Sequence, residues 1–280
     1  MVINKIKFVA ELTINHLGMV SIAKQMIKAA KESGATLIKL KLKNVNKYYD
    51  DDNKKWRNLN FKDYRGSLEL SKEDFFELDS YCKGLNIEWF CTVHDAESLD
   101  FLKQFNLPLY KIASMDADKN DFVDYVINLC KEEDKPLVIS VGGKDIAFTD
   151  KLVNRINNAN IKAYLLHTVS IYPTPLGKSN INFINILKEK YESENIKIGY
   201  SGHEIGFAPT ILASMKGISM IERHFALSKE WNIHHLAAAL TPTEYKHMTS
   251  LISNINLENN ETTADYDEAE LKFLERMEYT

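Results

Sequence analysis

The sequence predicts an α/β fold: a (β/α)8 barrel of the TIM type, as a single domain with a C-terminal tail. Three observations support this. Eight short apolar runs, rich in β-branched residues, recur along the chain. They lack clean in–out alternation, as strands buried on both faces do. A helix-like segment follows each run, which is the order of a parallel sheet built from βα units. The runner-up architecture is a doubly wound open sheet, and it is disfavoured because no Gly-rich phosphate loop follows the first strand.

Taken in order, the predicted strands are residues 5–11, 37–42, 87–92, 109–113, 137–141, 163–167, 196–201 and 218–222. In residues 21–31 apolar side chains recur at helical spacing, and the segment ends at Ser33-Gly34, a C-cap pair. Ser71-Lys72-Glu73-Asp74 is a capping-box start for the next helix. Residues 95–105, 120–132, 145–157, 180–191, 208–216 and 243–255 supply the other helices. The barrel is therefore expected over residues 1–255. Residues 256–280 are acidic and polar, and predict a linker followed by a short helix at 267–277. Residues 43–66 break the repeat. They are charged and aromatic (Tyr48, Tyr49, Asp50, Asp51, Asp52, Trp56, Tyr64) and follow the second strand. There they would overhang the active face as a lid or subunit contact, the alternative being a surface insertion.

Composition narrows the function. The chain has 280 residues, 45% of them hydrophobic, and a net charge of -4. That charge gives no electrostatic case for nucleic acid or an anionic membrane. No apolar stretch approaches the ~20 residues of a transmembrane helix. The N-terminus shows no signal-peptide pattern. Cys82, Cys91 and Cys130 are odd in number and lack CxxC spacing. They fit reduced buried thiols in a cytoplasmic protein, with a site role left open for Cys91 near a strand end.

The polar residues at strand ends are the informative ones, because barrel chemistry sits there. Lys39 and Lys41 flank Leu40 and so share one face of a strand. With Lys111 they suggest a bound phosphate or carboxylate, since unpaired charge is costly inside a barrel. The alternative is that each lysine pairs with an interior Glu or Asp. Glu11 is a candidate general base or sugar-hydroxyl acceptor, and also a partner for those lysines. Thr92 and His94, Ser114 and Asp116, Ser140, and Ser170 fall at further strand ends. Tyr172-Pro173-Thr174-Pro175 is either a rigid turn presenting the tyrosine or a purely structural turn. Gly199-Tyr200-Ser201-Gly202-His203 and Ile221-Glu222-Arg223-His224 end two consecutive strands. Two imidazoles there could hold a divalent metal, the alternative being hydrogen-bonded structural histidines.

Seven segments in this order resemble the sialic acid synthase family. They run from Val9-Ala10-Glu11-Leu12-Thr13-Ile14-Asn15-His16-Leu17-Gly18 through Gly34-Ala35-Thr36-Leu37-Ile38-Lys39 to Phe90-Cys91-Thr92-Val93-His94-Asp95. They continue through Tyr110-Lys111-Ile112-Ala113-Ser114, residues 165–175, residues 199–203 and Ile221-Glu222-Arg223-His224-Phe225. The resemblance covers about residues 5–255. It implies condensation of phosphoenolpyruvate with an aldose, N-acylmannosamine-like or divergent, to a nonulosonic-type 2-keto-3-deoxy sugar acid. In that reaction C3 of phosphoenolpyruvate attacks the aldehyde, water adds at C2, and phosphate leaves. His203 and His224 would be the metal ligands, usually for manganese, with magnesium and cobalt as alternatives. Lys39, Thr92, Lys111, Ser114, Ser140 and Ser201 would bind phosphoenolpyruvate. Glu11 and Tyr172 would contact the acceptor, and Asp116 takes the place of a family Glu near the reacting carbons. Catalytic roles then fall on Glu11, Lys111, Asp116 and His203.

The departures concentrate on the acceptor side. The family's Lys-Phe-Gln is Lys39-Leu40-Lys41 here, Ser-Gly-Glu is Ser114-Met115-Asp116, and the Asn two before the tyrosine is Ser170. A family Asp that touches metal-bound water and sugar aligns with His235, so His235 or its neighbour His234 is a candidate replacement. Too few residues follow the barrel for the family's antifreeze-like C-terminal domain, which in family dimers reaches into the partner's site. A homodimer is a further implication of the resemblance. Two other activities stay open: an aldolase or lyase on the same barrel, and a degenerate barrel that binds a sugar or a partner protein.

Overall fold

A computed structural model describes residues 6–49, 55–231, 233–258 and 272. The barrel strands are β1 (Lys7–Glu11), β2 (Leu37–Leu42), β3 (Glu88–Val93), β4 (Tyr110–Ile112), β5 (Leu137–Ser140), β6 (Ala163–Thr168), β7 (Ile196–Gly202) and β8 (Met220–His224). Each pairs in parallel with its neighbours in sequence, and β1 pairs with β8, so the sheet is closed rather than open. The helices are α1 (Val20–Glu32), α2 (Lys72–Gly84), α3 (Ala96–Leu102), α4 (Asn120–Glu132), α5 (Ile146–Ala159), α6 (Phe183–Tyr191), α7 (Ala208–Ser214) and α8 (Pro242–Glu258).

Each helix forms where an apolar stripe has a barrel to bury itself against. In α1 the buried residues are Ala23, Met26, Ile27 and Ala30, one face at i, i+3, i+4, i+7. Its chain reverses at Gly34, whose φ of +93° suits only glycine, and a Cβ there would lie 2.7 Å from Thr249 Oγ1 on α8. The Ser71–Asp74 capping box at the start of α2 is present with both reciprocal bonds. α8 runs three residues past the predicted boundary at 255. Apart from Lys272, which is helical, the predicted helix at 267–277 lies outside the described residues, as do Asp50, Asp51 and Asp52.

The last strand begins and ends two residues later than predicted. The apolar run stops at Glu222, which suggested a strand end. Glu222, Arg223 and His224 are nevertheless buried, and the ladder continues through them, pairing Glu11 with His224.

Alternation along the strands sorts the barrel interior into levels. At the bottom Val9, Leu37, Phe90, Leu109, Val138, Leu166 and Met220 form a sealed apolar plug. β7 contributes Gly199 to that plug. A Cβ there would come within 2.4 Å of Leu166 Cδ2, so glycine is what leaves room for Leu166. Two residues further along every strand the interior becomes polar.

Candidate active site

That second level holds one side chain from each strand: Glu11, Lys39, Thr92, Lys111, Ser140, Thr168, Ser201 and Glu222. They floor a polar cavity of about 40 Å3 at the C-terminal end of the barrel. Above them Lys41, Ala113, Ser114, Tyr172, His203 and His224 complete its wall.

The floor is a charge network. Lys39 Nζ lies 2.6 Å from Glu11 Oε2 and 2.7 Å from Glu222 Oε1. Lys41 Nζ lies 2.9 Å from Glu11 Oε1. Ser201 donates to Glu222 Oε1 at 3.0 Å. Lys111 donates to Ser140 Oγ at 2.6 Å but stands 3.5 Å from Glu222 Oε2, its nearest carboxylate. Lys39 and Lys41 therefore take the ion-paired alternative, and the anion-binding capacity falls chiefly to Lys111. Burial opposes the charge on every one of these groups. For Glu11, Lys39 and Lys41 outweigh burial and hold the carboxyl well below its usual range. For Lys39, burial is likewise outweighed, by Glu11 and Glu222, and its pKa is raised. For Lys111, burial wins over Glu222 and the ammonium is pushed down to about 8. Three lysines meet two carboxylates, so the cavity carries a surplus positive charge at neutral pH.

The imidazoles stand on the opposite rim. His203 and His224 ring centroids are 5.2 Å apart, with planes at 84°. His203 Nδ1 lies 2.9 Å from the Val169 carbonyl and 3.2 Å from Thr168 Oγ1, which leaves Nε2 for a ligand. His224 Nε2 is 3.7 Å from Glu11 Oε2, and its buried Nδ1 has no protein partner. Burial holds His203 down at about 4 and His224 well below the usual imidazole range, so both rings are neutral, the form that ligates metals. Two neutral imidazoles beside a carboxylate fit a borderline divalent cation. Among the described residues no three His, Cys, Asp or Glu side chains form a ready-made cage. A cation held by the two rings would keep coordination positions open for water and substrate.

A buried ion pair fixes this rim from behind. Arg223 is 0% exposed, and its guanidinium donates to Glu204 Oε1 at 2.8 Å, to the Glu204 carbonyl at 2.8 Å and to the Ala238 carbonyl at 3.2 Å. Tyr200 and Thr210 hydroxyls donate to the same Glu204 carboxylate. The loops after β7 and β8 are thereby tied together beside His203 and His224.

Among the expected residues, Glu11, Lys39, Lys41, Thr92, Lys111, Ser114, Ser140, Tyr172, Ser201, His203 and His224 meet on this one cavity. Ser170 reaches the rim through its 3.0 Å contact with Ser114 Oγ. His235 packs on the far face of the rim, its ring 4.1 Å from Tyr172, which in turn lies 4.0 Å from His203. Asp116 is fully buried beside the cavity and is not on its wall. Cys91 is buried, burial pushes its thiol well above the usual value, and it is off the cavity wall, so it takes no part. Sequence reasoning missed Glu222 and Thr168. Glu222 could have been found by stepping two residues back from His224 on the same strand face.

The segment after β2 packs beside the mouth, against residues next to the cavity rather than on its wall. Its described parts are two short helices, Val45–Tyr48 and Phe61–Gly66, and a hairpin of Lys55–Trp56 with Leu59–Asn60. Tyr48 packs edge-on against His94, Phe61 against His234, and Tyr64 accepts a bond from the His234 N–H at 3.1 Å.

Comparison with known proteins agrees with this picture. The profile of the NeuB family matches residues 26–264. An N-acetylneuraminate-9-phosphate synthase of Drosophila melanogaster is 31% identical over 265 residues, covering 91% of this chain and 69% of that protein. A pseudaminic acid synthase of Campylobacter jejuni is 29% identical over 280 residues, covering 96% and 79%. Among solved structures, an N-acetylneuraminic acid synthetase from Leptospira borgpetersenii superposes with a TM-score of 0.85 at 24% identity, covering 98% of this chain and 91% of that one, a likeness of fold.

Proposed function

The chain belongs to the NeuB family, and from that premise we propose that it condenses phosphoenolpyruvate with an aldose to a nonulosonic-type sugar acid, releasing phosphate. The observation that carries this is the surplus positive charge on the cavity floor, facing two neutral imidazoles across a space one substrate end would fill. Lys111 and Ser140, with Thr92, Ser114 and Ser201, suit the phosphate and carboxylate of the donor. The Thr92 hydroxyl is buried without a protein partner and is free to donate to such an anion. Lys39 is already neutralised by Glu11 and Glu222, so its part is to hold both carboxylates in place.

The acceptor belongs on the opposite rim, between Lys41, Tyr172 and His235, with Ser170 at the boundary where it meets Ser114. Glu11 links the halves, since it meets Lys39 and Lys41 on one side and His224 on the other. His203 and His224 would hold a divalent cation, manganese first, and that cation would supply Lewis-acid polarisation of the aldehyde oxygen. As C3 of the donor bonds to the aldehyde carbon, the C2 centre becomes cationic and water adds there. The C2–O bond to phosphate then breaks with its electron pair, and the Lys111 ammonium offsets the charge that develops. The three cysteines are free and buried, which suits a cytoplasmic enzyme.

The test is phosphate release from phosphoenolpyruvate with Mn2+ across a panel of aldoses including N-acetylmannosamine, with EDTA controls. Release that needs both sugar and metal is expected. No release with any sugar, from a folded protein that binds the metal, overturns the proposal.

A further inference from the structure

Asp116 stands where the family resemblance puts a carboxylate near the reacting carbons, yet its surroundings keep it from the substrate. Its Oδ1 is 2.7 Å from Lys119 Nζ, and the Tyr48 hydroxyl closes over the same oxygen at 3.5 Å. Its Oδ2 is 2.6 Å from His94 Nδ1. A carboxylate can only accept, so the hydrogen of a neutral His94 ring sits on Nδ1. That leaves the Nε2 lone pair, which is buried and has no protein partner. The arrangement is the one by which a carboxylate fixes the tautomer and direction of a basic imidazole.

His94, like Asp116, is not on the cavity wall, but it stands two residues beyond Thr92, which is. Phe90 and Thr92 share the inner face of β3, and His94 continues the two-residue spacing just past the strand's last residue, Val93. Phe90 belongs to the apolar plug and Thr92 to the cavity floor. His94 is therefore one step above the floor, at the level Lys41 reaches on neighbouring β2 and His203 and His224 reach on the far side. Burial outweighs the pull of Asp116 and holds the ring down at about 4, so at physiological pH it is neutral and its Nε2 lone pair is free to accept.

We propose that His94 is a further acid–base residue of this site, its Nε2 accepting a proton from the water that adds to C2, with Asp116 as its positioning partner. This rests on the synthase activity proposed above. The water oxygen bonds to C2 as one of its O–H bonds breaks and that proton passes to Nε2. The proton then goes to the oxygen of the former aldehyde, which becomes a hydroxyl. The second water proton leaves with phosphate as the C2 carbonyl forms.

The experiment compares the wild type with His94→Gln, His94→Ala and Asp116→Asn, using the sugar that supports phosphate release. It reads kcat, KM for phosphoenolpyruvate, the pH profile of kcat, and phosphoenolpyruvate affinity by calorimetry. Both His94 variants should lose about 100-fold in kcat, within the range for a general base, while phosphoenolpyruvate binding stays near wild type. Added imidazole should restore part of the His94→Ala rate. Asp116→Asn should lower kcat and alter the acid limb of its profile. Wild-type kcat and pH profile in His94→Gln would overturn the assignment. So would a loss confined to phosphoenolpyruvate affinity, which marks a structural role. If the wild type releases no phosphate with any sugar, the synthase activity itself fails and this role falls with it, an outcome distinct from an active wild type indifferent to His94.

Discussion

Glu222→Gln isolates the charge network from its shape. The amide keeps the size of the side chain and can still accept from Ser201, so only the negative charge is removed. Lys39 then retains Glu11 alone, and Lys111 loses its nearest carboxylate and keeps only Ser140. Three lysines face one carboxylate in a site where both Lys39 and Lys111 are almost fully buried. Breaking a buried ion pair by removing one partner costs about 3–5 kcal/mol, because it strands an uncompensated charge. For a domain of this size each kcal/mol lowers Tm by roughly 2–4 °C, so a fall of roughly 10 °C is expected. Thermal unfolding followed by circular dichroism measures it. Inorganic phosphate should recover part of the loss, since an anion bound by the native state replaces the missing charge and stabilises by mass action. A Tm within about 2 °C of the wild type, with no larger response to phosphate, would refute the view that Glu222 balances buried lysine charge.

Further outcomes are expected elsewhere. Arg223→Met strands the buried Glu204 carboxylate and should cost about 3–5 kcal/mol in denaturant unfolding, whereas a change under 1 kcal/mol would show the pair to be dispensable. His224→Ala should abolish Mn2+ binding in calorimetry with the far-ultraviolet circular dichroism unchanged, and undiminished Mn2+ affinity would remove His224 from the metal site. Gly142→Ala would place a Cβ 2.6 Å from Thr168 Cγ2 and 2.7 Å from Ser170 Oγ, so KM for the sugar should rise as Ser170 is displaced. Unchanged sugar kinetics would separate Ser170 from the acceptor. Burial holds His16 and His94 down at about 4, below the unfolded value near 6.5. Between those values the unfolded chain binds more protons than the native one, so stability should fall as pH drops from 6.5 to 4. A flat urea midpoint over that window would contradict the burial of neutral rings.

What was legible in the chain was whatever depends on near neighbours. The capping box at Ser71 and the apolar stripe of α1 are written in windows of a few residues, and helix 120–132 coincides with α4. Eight apolar runs with helices between them pointed to a parallel sheet covered on both faces, and the missing Gly-rich loop after the first strand favoured the closed barrel over the open sheet. Closure then carried the strand-end residues to one face, so Lys39, Lys111, His203 and His224 could be nominated from position alone.

The pairings among them were decided only by the tertiary structure. Lys39 finds Glu222 across 183 positions of sequence, and no local pattern reports that contact. For the same reason strand β8 was ended too early: Glu222 and Arg223 look like the polar stop of a strand until their partners, Lys39 and Glu204, are in place. The family resemblance implies a catalytic role for Asp116, whereas its burial beneath His94, Lys119 and Tyr48 depends on three separate segments converging. Backbone periodicity sets where strands and helices begin because it acts through adjacent residues. Which charge meets which is set by the electrostatic cost of burying each one, and that cost arises only once the barrel has closed.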